Sequence, residues 1–159
     1  MALPDIVAAW LHTVAFAIAW GYYGVLGRLI VPALDDAIDA SSWSSSLVAI
    51  ERRALPLLGV AIALIVATGV WLLVVDPRYE GVGNLFASTW TTLMFLKHVA
   101  VVAFVVFAIL VHRAIRRLDA SRIDPDRRVA ARSVTRNAEL ATASGALIAL
   151  LTVAAQASA

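Results

Sequence analysis

The sequence predicts an all-α polytopic membrane protein, a four-helix bundle with both termini outside, and three observations carry that prediction. The chain of 159 residues is 62% hydrophobic and 15% charged, with a mean hydropathy of +0.86. A soluble domain of this size lacks the polar surface to cover so much apolar material. The apolar residues fall into four blocks, roughly 6–34, 54–75, 86–117 and 138–157, each near the ~20 residues a helix needs to cross a bilayer. Basic residues then sort by side. Eleven of the thirteen lie at the ends of blocks one and three or in the loops that follow, Arg78 sits alone on the other side, and Lys97 lies within a helix. The positive-inside rule places loops 35–53 and 118–137 in the cytoplasm of a multi-pass cell-membrane protein. One transmembrane domain over 1–159 is expected.

The first block is no cleavable signal: it lacks a basic leading region and holds Trp10, His12, Trp20, Tyr22 and Tyr23. The polar, serine-rich stretch 35–46 around Trp43 reads as a short interfacial helix. Pro32 and Pro56 fall near helix ends, where a missing N–H costs little. Asp76-Pro77 ends the second block, and Gly81 and Gly83 carry the outer turn. The alternating charges of 119–136 extend the third helix before the chain turns back near Asp124-Pro125. In the fourth block Ala141, Gly145 and Ala149 form a small-residue stripe for close helix packing, which also leaves a homodimer open.

Cysteine is absent, which excludes disulfides and thiolate metal sites. The pI near 9.5 comes from membrane-flanking arginines, so the expected partner is the lipid bilayer and not nucleic acid.

Ionisable residues inside the hydrocarbon are costly, ~2.5–3.5 kcal/mol on insertion scales, and are functional candidates by default. No Asp or Glu is expected deep in a helix. The set is His12, Lys97, His98 and, near the cytoplasmic end, His112. Helices one and three run parallel, which puts His12 and His98 near one level in the outer half of the membrane. Two level imidazoles suit a six-coordinate haem b, with Phe16, Trp20, Tyr23 and Gly24 lining a slot and Lys97 reaching a propionate. The bland alternative is an interhelical hydrogen bond at each histidine. Copper is the rival metal, with Met94 one turn before His98 as a softer ligand and His112 as a further one. His112 also reads as an interfacial residue beside Arg113.

These residues carry a resemblance. The run WLHTVAFAIAWGYYGVLGRLIVPAL, from Trp10 to Leu34, resembles the first helix of the copper-resistance D superfamily, with an early His and a later Trp-Gly. LIVATGVWLL contains that group's Thr-Gly pair, Thr68-Gly69, and FLKHVAVVAFVVFAILVHRAIRRL is similar to its third helix. The related membrane protoporphyrinogen-oxidase family of haem synthesis shares the first-helix His, a Trp with an Arg eight residues later (Trp20 and Arg28), and the Lys of helix three. That relation implies haem on His12. The His12–Trp20 spacing is one residue longer than in either family, and His98 follows the lysine where an apolar residue is expected.

The first functional expectation is cytochrome b-like electron transfer near the outer face, through haem b on His12 and His98, with a redox partner or quinone. The alternatives are copper transport, as the resemblance implies, and a haem-dependent oxidoreductase acting on a quinol or porphyrinogen.

Overall fold

The computed structural model describes residues 2–37, 40–79, 81, 86–120 and 124–158. Among these there is no strand. The helices are α1 (Leu3–Val25), α2 (Val31–Ala37), α3 (Ala40–Val75), α4 (Thr89–Ala120) and α5 (Asp124–Ala157). A π-helical turn, Leu26–Ile30, joins α1 to α2 without a break. Four helical stretches, Leu3–Leu34, Ser42–Val75, Thr89–Leu118 and Val129–Ala157, are long and apolar enough to cross a membrane.

The helices outrun their expected bounds. Segments 35–53 and 118–137, expected as loops with a short interfacial helix over 35–46 and an extension of the third helix over 119–136, are instead largely taken up by the long helices themselves, because α3 already begins at Ala40 and α5 at Asp124. The charges of 124–136 thus belong to the fourth span and not to an extension of the third. Pro56 consequently sits inside α3 and not near its end, where it removes one rung of the hydrogen-bond ladder. Gly81 takes φ +90° in the turn between α3 and α4, a conformation that suits glycine; Gly83 and Arg122 lie outside the described residues.

Neighbouring spans are antiparallel. Gly27 meets Ala138 and Gly24 meets Thr142, so α5 runs back along α1. The Trp71 indole N–H donates to Asp5 Oδ1 at 3.3 Å, tying the end of α3 to the start of α1. Both termini therefore lie at one end of the bundle. The most extensive interface joins α4 to α5, followed by α1 with α3. The core is a column of Ala19, Tyr23, Leu26, Leu47, Leu58, Phe104, Val111, Ile115 and Ala138. Outward faces are aliphatic, with Val60, Val66, Val102 and Val153 exposed, as a lipid-facing surface requires.

Small residues set the helix spacing, since lipid supplies no hydrophobic force between spans. A Cβ on Gly145 would fall 2.3 Å from Trp20 Cδ1 and 2.8 Å from Cγ. Trp20 occupies that space, and its indole N–H donates to the Thr142 carbonyl at 2.9 Å. The small-residue stripe of the fourth span thus serves packing within this chain.

The turn between α3 and α4 closes on itself. Arg78 donates to both carboxylate oxygens of Asp76 at 2.9 and 2.8 Å, and its guanidinium lies 4.8 Å from the Trp90 ring centroid. The Arg78 side-chain hydrogen bonds hold the Asp76 carboxyl below the usual carboxylate range.

Candidate functional site

His12 projects from α1 onto α3. Its Nδ1 lies 3.0 Å from Thr68 Oγ1, and the Thr68 hydroxyl donates to the Leu64 carbonyl. A hydroxyl has one proton to give, so Nδ1–H must be the donor to Thr68. This chain sets the neutral tautomer and leaves Nε2 with its lone pair, the usual way a second shell prepares an imidazole ligand. Gly69 makes the space: a Cβ there would stand 3.1 Å from His12 Cε1. The Thr68-Gly69 pair thus has a physical meaning. Threonine orients the ring and glycine admits it.

Depth and direction must be separated for His98. Phe104 on α4 packs between Phe16 at 6.5 Å and Tyr23 at 5.5 Å, centroid to centroid. Counting back equally on these parallel helices brings His12 level with Lys97 and His98, as the sequence implies. Adjacent helical residues point about 100° apart, however, so only one of the two can face inward. Lys97 takes that place, half-buried on the row of Ala100, Phe104 and Val111, and acts electrostatically on the His12 ring. His98 lies exposed on the row of Val102, Val105 and Ile109. Its Nδ1 donates to the Met94 carbonyl at 2.6 Å, so Met94 contributes backbone and not sulfur to that bond. Among the described residues no hydrogen bond joins His98 to His12.

The slot expected to hold a macrocycle is filled by protein. Trp20 is stacked on Phe16 and bonded to Thr142. Tyr23 is buried edge-on to Phe104 and Tyr22, and Gly24 faces Thr142 Cγ2 at 3.7 Å from its would-be Cβ. Arg28 is exposed in the π-helical turn, about four turns from His12. With one imidazole turned outward and the slot packed, these residues do not fit a bis-histidine haem.

A second polar centre lies at the opposite end of the bundle. His112 Nδ1 donates to Glu51 Oε1 at 2.7 Å, and Glu51 is buried at 6% exposure. Arg116, Tyr22 and Tyr23 are its electrostatic neighbours. Among the described residues the buried Tyr22 hydroxyl has no hydrogen-bond partner. Sequence reading passes over Glu51 and names Thr68 only as half of the Thr-Gly pair. The signal for both is one apolar row on α3, Leu47, Ala54, Leu58, Ala61 and Ile65, in which Glu51 and Thr68 occupy the missing inward positions at alternating four- and three-residue steps. Among the described residues no three His, Cys, Asp or Glu side chains gather as a closed metal site.

Neither curated proteins nor solved structures provide a match to this chain. A family model for copper resistance protein D matches residues 49–155, about two thirds of the chain. The matched part includes Glu51, Thr68-Gly69, Lys97 and His112, whereas His12 lies before it. The chain therefore belongs to the copper resistance protein D family of membrane proteins.

Proposed function

We propose that this protein moves copper ions through the membrane, taking the ion first on Nε2 of His12. The observation that supports this most is the hydrogen-bond chain from His12 through Thr68 to Leu64, which leaves that nitrogen unprotonated inside the bundle. Imidazole serves copper in either common oxidation state. A lone nitrogen binds weakly, which suits a cargo that must leave again; storage would call for three or four converging donors.

The Glu51–His112 pair is the second station. Along α3 it lies 17 residues from Thr68, or roughly 25 Å at 1.5 Å per residue. Glu51 Oε2 and His112 Nε2 remain outside the hydrogen bond that joins the two side chains, and both are copper donors. The arginine-rich end belongs in the cytoplasm by the positive-inside rule, which puts His12 toward the outer face and Glu51 toward the inner one.

Proteoliposomes carrying a copper-responsive dye inside test the proposal. Wild-type protein raises the rate of copper uptake, and His12→Ala abolishes the increase. Thr68→Val keeps the ligand but releases the ring, and lowers uptake by about 10–100-fold, the usual effect of losing a second-shell partner. His98→Ala, altering an exposed ring, leaves uptake unchanged. Equal uptake by His12→Ala and wild type refutes the reading. A haem absorption band lost in both histidine variants would replace it with the electron-transfer alternative.

A further inference from the structure

We infer that a cavity at the arginine-rich end of the bundle binds a phosphate group, independently of the copper reading. The cavity, about 290 Å³, is lined by Val31, Trp43, Ala131, Arg132, Thr135, Arg136 and Glu139. It opens where three of the four spans begin or end: Trp43 is the second residue of the span Ser42–Val75, Val31 lies three residues before Leu34, and Arg132 and Arg136 lie in the first turns of Val129–Ala157. This is the level of phospholipid headgroups.

The donors there are unspent. Trp43 is 94% buried by its 6% exposure, and among the described residues its indole N–H finds no acceptor. A buried donor without a partner is uncommon in a folded protein and calls for an acceptor from outside. Arg132 and Arg136 stand one turn apart on α5 and point the same way. Among the described residues neither guanidinium has a carboxylate within ion-pair distance. Thr135 spends its hydroxyl on the Ala131 carbonyl at a long 3.4 Å. Glu139 contributes one negative charge, so two guanidiniums against one carboxylate leave the lining net positive.

An acceptor-only, tetrahedral anion suits the two guanidiniums together, with Trp43 walling the cavity. Guanidinium forks match phosphate oxygens in pairs. Basic pockets between spans on the cytoplasmic side are where anionic headgroups collect. The same chemistry would take free phosphate, and the two sources separate by experiment.

Detergent-purified protein is titrated with short-chain phosphatidylglycerol, short-chain phosphatidylcholine and inorganic phosphate, and bound adducts are counted by native mass spectrometry. One saturable site is expected. Phosphatidylglycerol binding more tightly than inorganic phosphate assigns a lipid headgroup, and the reverse order assigns free phosphate; either upholds the site. Arg132→Gln with Arg136→Gln weakens the preferred probe by at least about tenfold, in line with losing charge-assisted hydrogen bonds, and Trp43→Phe weakens it several-fold. Because both arginines are exposed, their variants keep the fold and decide the matter if Trp43→Phe does not. No saturable binding by any probe, or binding unaffected by the arginine changes, overturns the inference.

Discussion

Placing one methyl group at Gly145 should unseat the contact that fixes the distance between the first and last spans. A Cβ there would stand 2.3, 2.7 and 2.8 Å from three atoms of the Trp20 ring, well inside van der Waals separation. The ring cannot swing away freely, because it is stacked on Phe16 at 5.9 Å and its N–H is held by Thr142 at 2.9 Å. Gly145→Ala must therefore move α1 from α5 or break that bond. Overpacking costs about 1–3 kcal/mol, and a lost hydrogen bond adds about 0.5–1.5 kcal/mol, for a total of roughly 2–4 kcal/mol. Helix propensity runs the other way by up to ~1 kcal/mol, since alanine is the better helix former, so a net loss of about 1–3 kcal/mol is expected. Reversible unfolding in mixed micelles, followed by tryptophan emission, measures it. Trp20→Ala in the same chain removes the clashing atoms, so the double variant should lose at least about 1 kcal/mol less than the two single losses added together. Strict additivity, or a Gly145→Ala variant within 0.5 kcal/mol of wild type, would refute the packing argument.

The Glu51–His112 pair should behave as a coupled unit. Removing one partner with Glu51→Leu or His112→Leu costs about 1–3 kcal/mol, less than for a fully buried pair because His112 is partly exposed. Changing both to leucine should recover most of that loss, as unfolding of the three variants will show. The turn between α3 and α4 should weaken in acid: the Asp76 carboxyl is held low in the folded state by Arg78, so its contribution is present above the unfolded value of about 3.9 and is lost as pH falls through the lower folded one. Trp90 emission, sensitive to the guanidinium 4.8 Å from its ring, should report a transition below about pH 4 that is absent in Asp76→Asn.

The fold class was legible because hydropathy blocks and arginine placement are coarse signals that survive ignorance of packing. Helix ends were not, since Glu51, Arg52 and Arg53 read as loop although α3 runs through them. A helix crossing the headgroup layer keeps its backbone bonds while its side chains turn polar, so composition marks the membrane edge and not the end of the helix. At the site, depth was readable and direction was not. Both rows of α4 are aliphatic, one because it packs on Tyr23 and its neighbours and the other because it meets lipid. In water the outward row would be polar and would reveal that His98 points away; in a bilayer that contrast disappears. Thr68 was quoted as part of a motif, yet its role required knowing that His12 lies across from it.

The π-helical turn Leu26–Ile30 has a bearing on how the first span tolerates change. By lodging one surplus residue, it re-indexes everything downstream by about 100° of rotation, which is why Val31 and Leu34 still reach inward after Ala19, Tyr23 and Leu26 have set the phase. The two halves of the span are thereby clocked separately. Deleting a single residue such as Leu29, itself exposed, would yield a more regular helix and a worse protein: Val31 would rotate away from the cavity it lines together with Trp43, while His12 and its threonine would be untouched.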